Sequence, residues 1–429
     1  MTQGSGISSK LPDVGTTIFT VMSRRAIEQG AVNVGQGFPD YPIDSSLAGC
    51  VADAVAAGFN QYAPMEGSVA LRAAIAAKMA AAGGRAIDAE TELTVSCGGT
   101  ESIFSAIQAV IAAAGGRAVD PETELTVSCG GTESIYSAIQ AVVGQGDEAI
   151  VFDPAYDAYD PAVRLAGGTC IHIPLEPPHF RYDWDRVRQH VGPRTRLIVI
   201  NNPHNPACTV ASAADLDALA ALTRDRNILV LADEVYEHVQ YDGRVHHSVI
   251  NHPELRERSF AVYSFGKTLH ITGWRVGYCV ARPALTRELR KVHQFNTFSI
   301  ATPLQEGIRL YLERFPDAWR GVAAFFSAKR DLLRSRLAGS GLAMPPAQGS
   351  YFQLADYSAL ADCNDVEFTE RLINEAKVAV IPLSPFYREP PANMRVVRLC
   401  VAKRDETLEE AARRICQYTA GASFRRSES

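Results

Sequence analysis

Four apolar, β-branched runs recur through the middle of the chain, and each ends in a polar or aromatic cluster. They are EAIVFD (148–153), TRLIVIN (195–201), NILVLAD (227–233) and SFAVYSF (259–265). Short continuous apolar runs suit strands covered on both faces, and helix-patterned text separates them, as parallel strands with crossover helices require. One such stretch, ASAADLDALAALTRDR, carries leucines at 216, 219 and 222. The pattern predicts an α/β fold with a mostly parallel central sheet flanked by helices. A chain of 429 residues also exceeds what one core usually organises, so a second domain is expected. After about residue 300 the text changes to long helical segments and a mixed tail that includes GSYFQLADYS and RVVRLCVAK. That change predicts a smaller α+β domain. The expected division is 1–45 as an arm and part of the small domain, 46–300 as the large domain, and 301–429 as the small C-terminal domain.

Composition narrows the function classes. Hydrophobic residues make up 47% and charged residues 21%, ordinary for a globular chain, and the net charge of −6 leaves no electrostatic footprint for nucleic acid or an anionic membrane. The nine cysteines are dispersed, with no C-x-x-C pair and no histidine cluster at metal spacing. They read as reduced thiols, and no metal site is expected. The opening MTQGSGISSKLPDVGTT lacks a signal-type apolar core, and no run of 18 or more apolar residues follows. A soluble cytoplasmic protein is expected.

The chemistry lies at the strand ends. Asp153 to Tyr156, Asn201 to Asn205, Asp233 to Tyr236 and Ser264 to Lys267 each stand at or just past the C-terminal end of a predicted strand. In an open α/β sheet that edge is where ligands bind. A single Asp after a strand usually caps a helix, and a lone Lys is usually solvated; four such clusters together define a crevice. The segment SFGKTLHITGWRVGY adds Arg275 to Ser264 and Lys267. A hydroxyl and a guanidinium suit a phosphate, and a desolvated lysine near cations can form a Schiff base with a carbonyl. Phosphate binding and amine chemistry meet in pyridoxal 5'-phosphate. The pyridine nitrogen of that cofactor needs an anion, and Asp233, ending a strongly apolar strand, answers that need.

SFGKTLHITGWRVGY, NNPHNP and ADEVYEH resemble the signatures of the fold-type-I, class I pyridoxal-phosphate aminotransferases. VNVGQGFPDYP, NQYAPMEG, FDPAYDAY, RKVHQFNTFS, GSYFQLADYS and VVRLCVAK are similar to the branch that contains methionine aminotransferases, kynurenine aminotransferases and glutamine transaminase K. The resemblance runs from about Thr16 to Tyr418. It implies that Lys267 is the catalytic lysine that holds the cofactor, and that Asp233 pairs with the pyridine nitrogen. Asn205 and Tyr236 would hydrogen-bond the ring's phenolic oxygen, and Tyr156 would stack on its face. Ser264, Arg275 and the amides of a Gly-Gly-Thr turn would hold the phosphate, with Tyr62 reaching the phosphate of a neighbouring subunit in a homodimer. Arg398 would take the substrate α-carboxylate, helped by Asn205 and the Gly37 amide. Asn201 stands either behind the cofactor or as a turn cap. Phe19, Tyr41 and Phe298 line the side-chain pocket or belong to the core. The implied reaction is transfer of the amino group of a free amino acid of methionine, glutamine, aromatic or kynurenine type to a 2-oxo acid. A carbon–sulfur lyase shares the same cofactor residues and is the alternative.

A tandem repeat interrupts this pattern. Residues 80–111 recur as 112–143 with 28 of 32 positions identical. The phosphate turn therefore exists twice, as Cys97-Gly98-Gly99-Thr100 and as Cys129-Gly130-Gly131-Thr132, and one site can use one of them. The second copy, with Gly130, Gly131 and Thr132, is expected to serve, because it runs directly into GQGDEAIVFDPAY. The first copy keeps the upstream join from LRAAIAAKM, and a strand from one copy with a helix from the other would also complete the sheet. The repeat is either a true duplication, which could impair catalysis, or one segment written twice with variants such as Ile/Val and Phe/Tyr.

Overall fold

The structure, a computed structural model, describes residues 11, 13–61, 63–64, 66–82, 85–96, 145–296 and 299–421. Within these residues the first strands are β1 (Val32–Asn33), β2 (Leu93–Ser96), β3 (Glu148–Asp153), β4 (Thr169–Pro174), β5 (Thr195–Asn201) and β6 (Leu229–Asp233). The later ones are β7 (Ser259–Ser264), β8 (Gly277–Val280), β9 (Phe352–Asp356), β10 (Val378–Ala379), β11 (Ile381–Pro382) and β12 (Val396–Cys400).

Seven strands form the central sheet in the order β2-β8-β7-β6-β5-β3-β4. β8 runs antiparallel to both neighbours and the remaining pairs are parallel, so the sheet is mostly parallel, as the four apolar runs required. Those runs became β3, β5, β6 and β7, with β6 starting two residues later than its apolar text. Along β3 and β5 nearly every residue is buried, the pattern of a sheet covered on both faces. The helix Ala213–Thr223 lies between β5 and β6; Ser212 and Asp215 form a capping box at its start, and Leu216, Leu219 and Leu222 are buried.

The edge strand β2 takes up one of the arrangements that the repeat allows. It belongs to the first copy, and it enters the sheet beside β8 with Ser96 opposite Gly277. The helix Val69–Ala81 precedes it, and eleven residues, 82–92, separate that helix from β2. Both Gly-Gly-Thr turns and the whole of 112–143 lie outside the described residues.

A second, antiparallel sheet has the order β11-β12-β9, and β1 pairs in parallel with β10. GSYFQLADYS and RVVRLCVAK thus supply neighbouring strands, with Arg398 opposite Leu354 on β9 and opposite Ile381 on β11. No helix of the described residues is long and apolar enough to cross a membrane.

Candidate active site

Pairing in register brings these residues to one edge of the sheet: Asn201 stands beside Asp233 in the parallel β5–β6 pair, and Ser264 beside Gly277 in the antiparallel β7–β8 pair. Four clusters that are far apart in sequence become one cleft. Asp233 is buried, and its carboxylate accepts hydrogen bonds from the Tyr159 hydroxyl at 2.6 Å and from the Val235 amide at 3.4 Å. Burial raises its pKa to about 6, even though both hydrogen bonds and the nearby Lys267 charge act to lower it. A buried carboxylate in that state favours a cation against it.

Lys267 follows β7 directly, in the short helix Phe265–Thr268. Its Nζ donates to the Tyr351 hydroxyl at 3.0 Å and lies 5.4 Å and 5.8 Å from the ring centres of Tyr351 and Tyr236. Burial, followed by the Arg275 charge, lowers the amine pKa to about 8. A neutral, nucleophilic amine is therefore accessible near neutral pH. The helix can start this abruptly because residue 266 is glycine. A Cβ there would stand 3.1 Å from Thr272 Cα and 3.2 Å from Ser264 Oγ.

Asn201 stands behind these groups. Its Nδ2 donates to the Asp233 carbonyl at 2.8 Å, and its Oδ1 accepts the Asn205 amide at 2.6 Å. Both ends of its side chain are engaged by backbone, so it positions Asp233 and Asn205. Asn205 Oδ1 in turn accepts from Arg398 Nη1 at 2.6 Å.

Arg398 is fully buried on β12. Its Nη2 donates to the Gly35 carbonyl at 3.3 Å, and its guanidinium lies 3.8 Å from the ring centre of Phe352, 5.2 Å from Phe19 and 5.3 Å from Phe386. Its Nε has no hydrogen-bond partner. A buried cation held by aromatic faces, with one N–H unmet, is built to receive an anion.

The other expected residues fall around this axis. The buried Tyr236 ring meets Tyr351 edge-on at 5.0 Å, and the Tyr156 ring meets Tyr159 at 5.7 Å. Gly37 lies against the aromatic wall, where a Cβ would come within 2.9 Å of Phe352, and its carbonyl accepts the Tyr351 hydroxyl at 2.8 Å. Ser264 is buried beside β8, while Arg275 is exposed and adopts a left-handed backbone with φ 58° at the turn into β8. Phe19 reaches Arg398, whereas Tyr41 pairs through its hydroxyl with His270 Nδ1 at 3.1 Å. Tyr62, Phe298, Gly130, Gly131 and Thr132 lie outside the described residues.

Two residues in direct contact with the key groups were not expected from the sequence, Tyr159 on Asp233 and Tyr351 on Lys267. The only textual signal for either is its presence in FDPAYDAY or GSYFQLADYS.

Comparison with known proteins agrees with this geometry. Residues 112–415 match a family model described as aminotransferase class I and II. The chain is 44% identical over 409 residues to a methionine aminotransferase of Escherichia coli, covering 95% of this chain and 97% of that protein. It is 29% identical to a kynurenine–oxoglutarate transaminase of Dictyostelium discoideum, over 94% of each. A solved E. coli structure whose reactivity identified a methionine aminotransferase function superposes with a TM-score of 0.86 at 44% identity, covering 96% of this chain and 99% of that one. An aspartate aminotransferase of Thermus thermophilus does so with a TM-score of 0.80 at 28% identity, with the same coverage.

Proposed function

The chain belongs to the class I and II aminotransferases, pyridoxal-phosphate enzymes, and from that premise we propose which residues hold the cofactor and which substrates it takes. The residues present fit the cofactor: Lys267 offers a desolvated amine, Asp233 a buried anion, and Ser264 with Arg275 a hydroxyl and a charged fork at the sheet edge. Tyr156, Asn205 and Tyr236 would contact its ring, with Asn201 behind them. The phosphate turn is taken as Gly130, Gly131 and Thr132, in the copy that runs directly into β3 and at whose first residue the family match begins; Cys97-Gly98-Gly99-Thr100, which follows β2, is the alternative. A homodimer, with Tyr62 completing the neighbour's site, remains part of this reading on family resemblance.

The cofactor supplies a carbonyl for amine chemistry and an electron sink for the Cα carbanion. The chain supplies the rest. Arg398 binds the α-carboxylate through its fork, with the unmet Nε drawn into the contact, and Asn205 fixes the guanidinium's other edge. Lys267 Nζ takes the proton from the substrate Cα and would deliver it to the cofactor's carbonyl-derived carbon, with Tyr351 holding the amine in line. Asp233 stays ionised while a positive charge lies against it.

The single observation that carries the substrate reading is the aromatic cage of Phe19, Phe352 and Phe386 around Arg398. Walls of this kind favour a methionine, glutamine, aromatic or kynurenine-type side chain over a second carboxylate. Initial rates over a panel of amino acids with a 2-oxo acid test it. Methionine and aromatic donors are expected to exceed aspartate, with one new amino acid formed per oxo acid produced. Faster turnover of aspartate would remove the substrate reading, and release of ammonia with a thiol from methionine would replace transfer by elimination.

A further inference from the structure

β4 is the last strand in the sheet order, and Cys170 and His172, two residues apart on it, present their side chains to the same face. The helix Tyr159–Leu165 brings Asp160 to that face from its first turn. His172 Nε2 lies 3.3 Å from Asp160 Oδ1, and one ligand atom from each of Asp160, Cys170 and His172 lies within 4.8 Å of the other two. We propose that Asp160, Cys170 and His172 form a binding site for one zinc-like divalent metal ion.

The geometry is close to what such an ion needs. Bonds of roughly 2.0–2.1 Å to nitrogen and oxygen at a tetrahedral angle place the two ligand atoms about 3.3 Å apart, the separation already present between His172 and Asp160. Cys170 then needs only a small closing movement. Each other ligand is held from behind. Asp153 Oδ1 lies 2.8 Å from His172 Nδ1, the carboxylate–histidine arrangement that fixes the imidazole with Nε2 free for a metal. Arg164 Nη1 donates to Asp160 Oδ2 at 3.3 Å and leaves Oδ1 facing the histidine. Asp153 is itself fixed, since its Oδ2 accepts the Arg388 amide at 2.8 Å.

The donor set selects the ion. A thiolate, an imidazole and one carboxylate suit Zn²⁺ and its neighbours, whereas Mg²⁺ and Ca²⁺ prefer all-oxygen shells. Two negative ligands balance a divalent charge, and water can fill the fourth position. All three residues are half-buried, which leaves an entry path. The spacing gave no sign of this site because the sequence separates Asp160 from the Cys-x-His pair and only packing of the helix on β4 unites them. Without an ion, a proton bridges His172 to its carboxylates: burial alone would lower the imidazole pKa, but Asp153 and Asp160 raise it to about 9. The metal takes that proton's place and also displaces the proton of the Cys170 thiol, which otherwise hydrogen-bonds to Asp160, so both protons leave to solvent on binding.

Cobalt(II), titrated into chelator-treated holoenzyme, provides the test, because its tetrahedral d–d bands lie to the red of the cofactor's absorption. The expected result is intense visible absorption saturating at one equivalent, displaced by Zn²⁺. Cys170→Ser and His172→Gln should each abolish it, and Asp153→Asn should weaken binding by roughly 10- to 100-fold. Circular dichroism melts confirm that each variant is folded, and the unmutated enzyme alone can refute the site. Absence of the band at one equivalent, or its survival in Cys170→Ser, would overturn the proposal in favour of the proton bridge.

Discussion

At the Asp233 end of the cleft the polar side chains are committed to one another, whereas at the Arg398 end a fully buried guanidinium keeps one nitrogen unmet. Asp233 accepts from Tyr159 and Val235, and Asn201 is engaged at both ends of its amide. Groups tied down in this way cannot shift during turnover, which suits the seat of a resident cofactor. Arg398 is held by Asn205, Gly35 and aromatic faces, yet its Nε stays orphaned at a cost of about 1–3 kcal/mol until a carboxylate arrives. One end is rigid and satisfied; the other stores an unmet demand that a substrate relieves and a product restores.

Lys267→Ala gives the largest break, because it removes the group that belongs to neither end. Transamination should fall on the order of 10⁴-fold, with the near-ultraviolet and visible band of the bound cofactor shifted to that of an unattached aldehyde. Asp233→Asn keeps the shape of the rigid end and removes its charge. The loss should be about 10²- to 10³-fold and fall on kcat rather than KM, since the anion acts on the charge that develops during reaction. Arg398→Lys sharpens the other side of the contrast. A single ammonium cannot reproduce the fork, so KM for the amino acid should rise about 10- to 100-fold while the cofactor spectrum stays unchanged.

Most of the rigid end was legible in the sequence, because Asn201, Asp233, Ser264 and Lys267 sit at fixed offsets from apolar strands, and parallel register then aligns them. Arg398 was legible as a lone cation in an apolar strand. What the text hid were contacts made by folding. Tyr159 meets Asp233 because a helix after β3 turns back over the sheet, and Tyr351 meets Lys267 because the residue just before β9 is set beside the end of β7. β8 lies in VGYCVA (276–281), which overlaps the end of the chemistry-bearing segment SFGKTLHITGWRVGY and so did not stand out as a separate apolar run.

Two smaller effects test these hidden contacts. Tyr351→Phe removes the hydroxyl that accepts from Lys267 Nζ and should lower kcat about tenfold with little change in KM. Tyr159→Phe acts through Asp233. The hydrogen bond from Tyr159 lowers the Asp233 pKa, so its loss should raise that value above about 6. An ionised Asp233 is what attracts the protonated pyridine, so cofactor affinity of the stripped enzyme should fall as pH drops through about 6 in the parent and at higher pH in the variant. An unchanged pH profile would assign Tyr159 to packing alone.

The pairing of β1 with β10 also dictates when the enzyme can exist during its own synthesis. Val32 and Asn33 find their partners only at Val378 and Ala379, and Phe38 and Asp40 are met by Lys403, Arg404 and Thr407. Residues 32–40 therefore meet these partners only when nearly the whole chain has been translated. A polypeptide released even slightly early would carry a finished central sheet, an unclosed substrate wall and no Arg398.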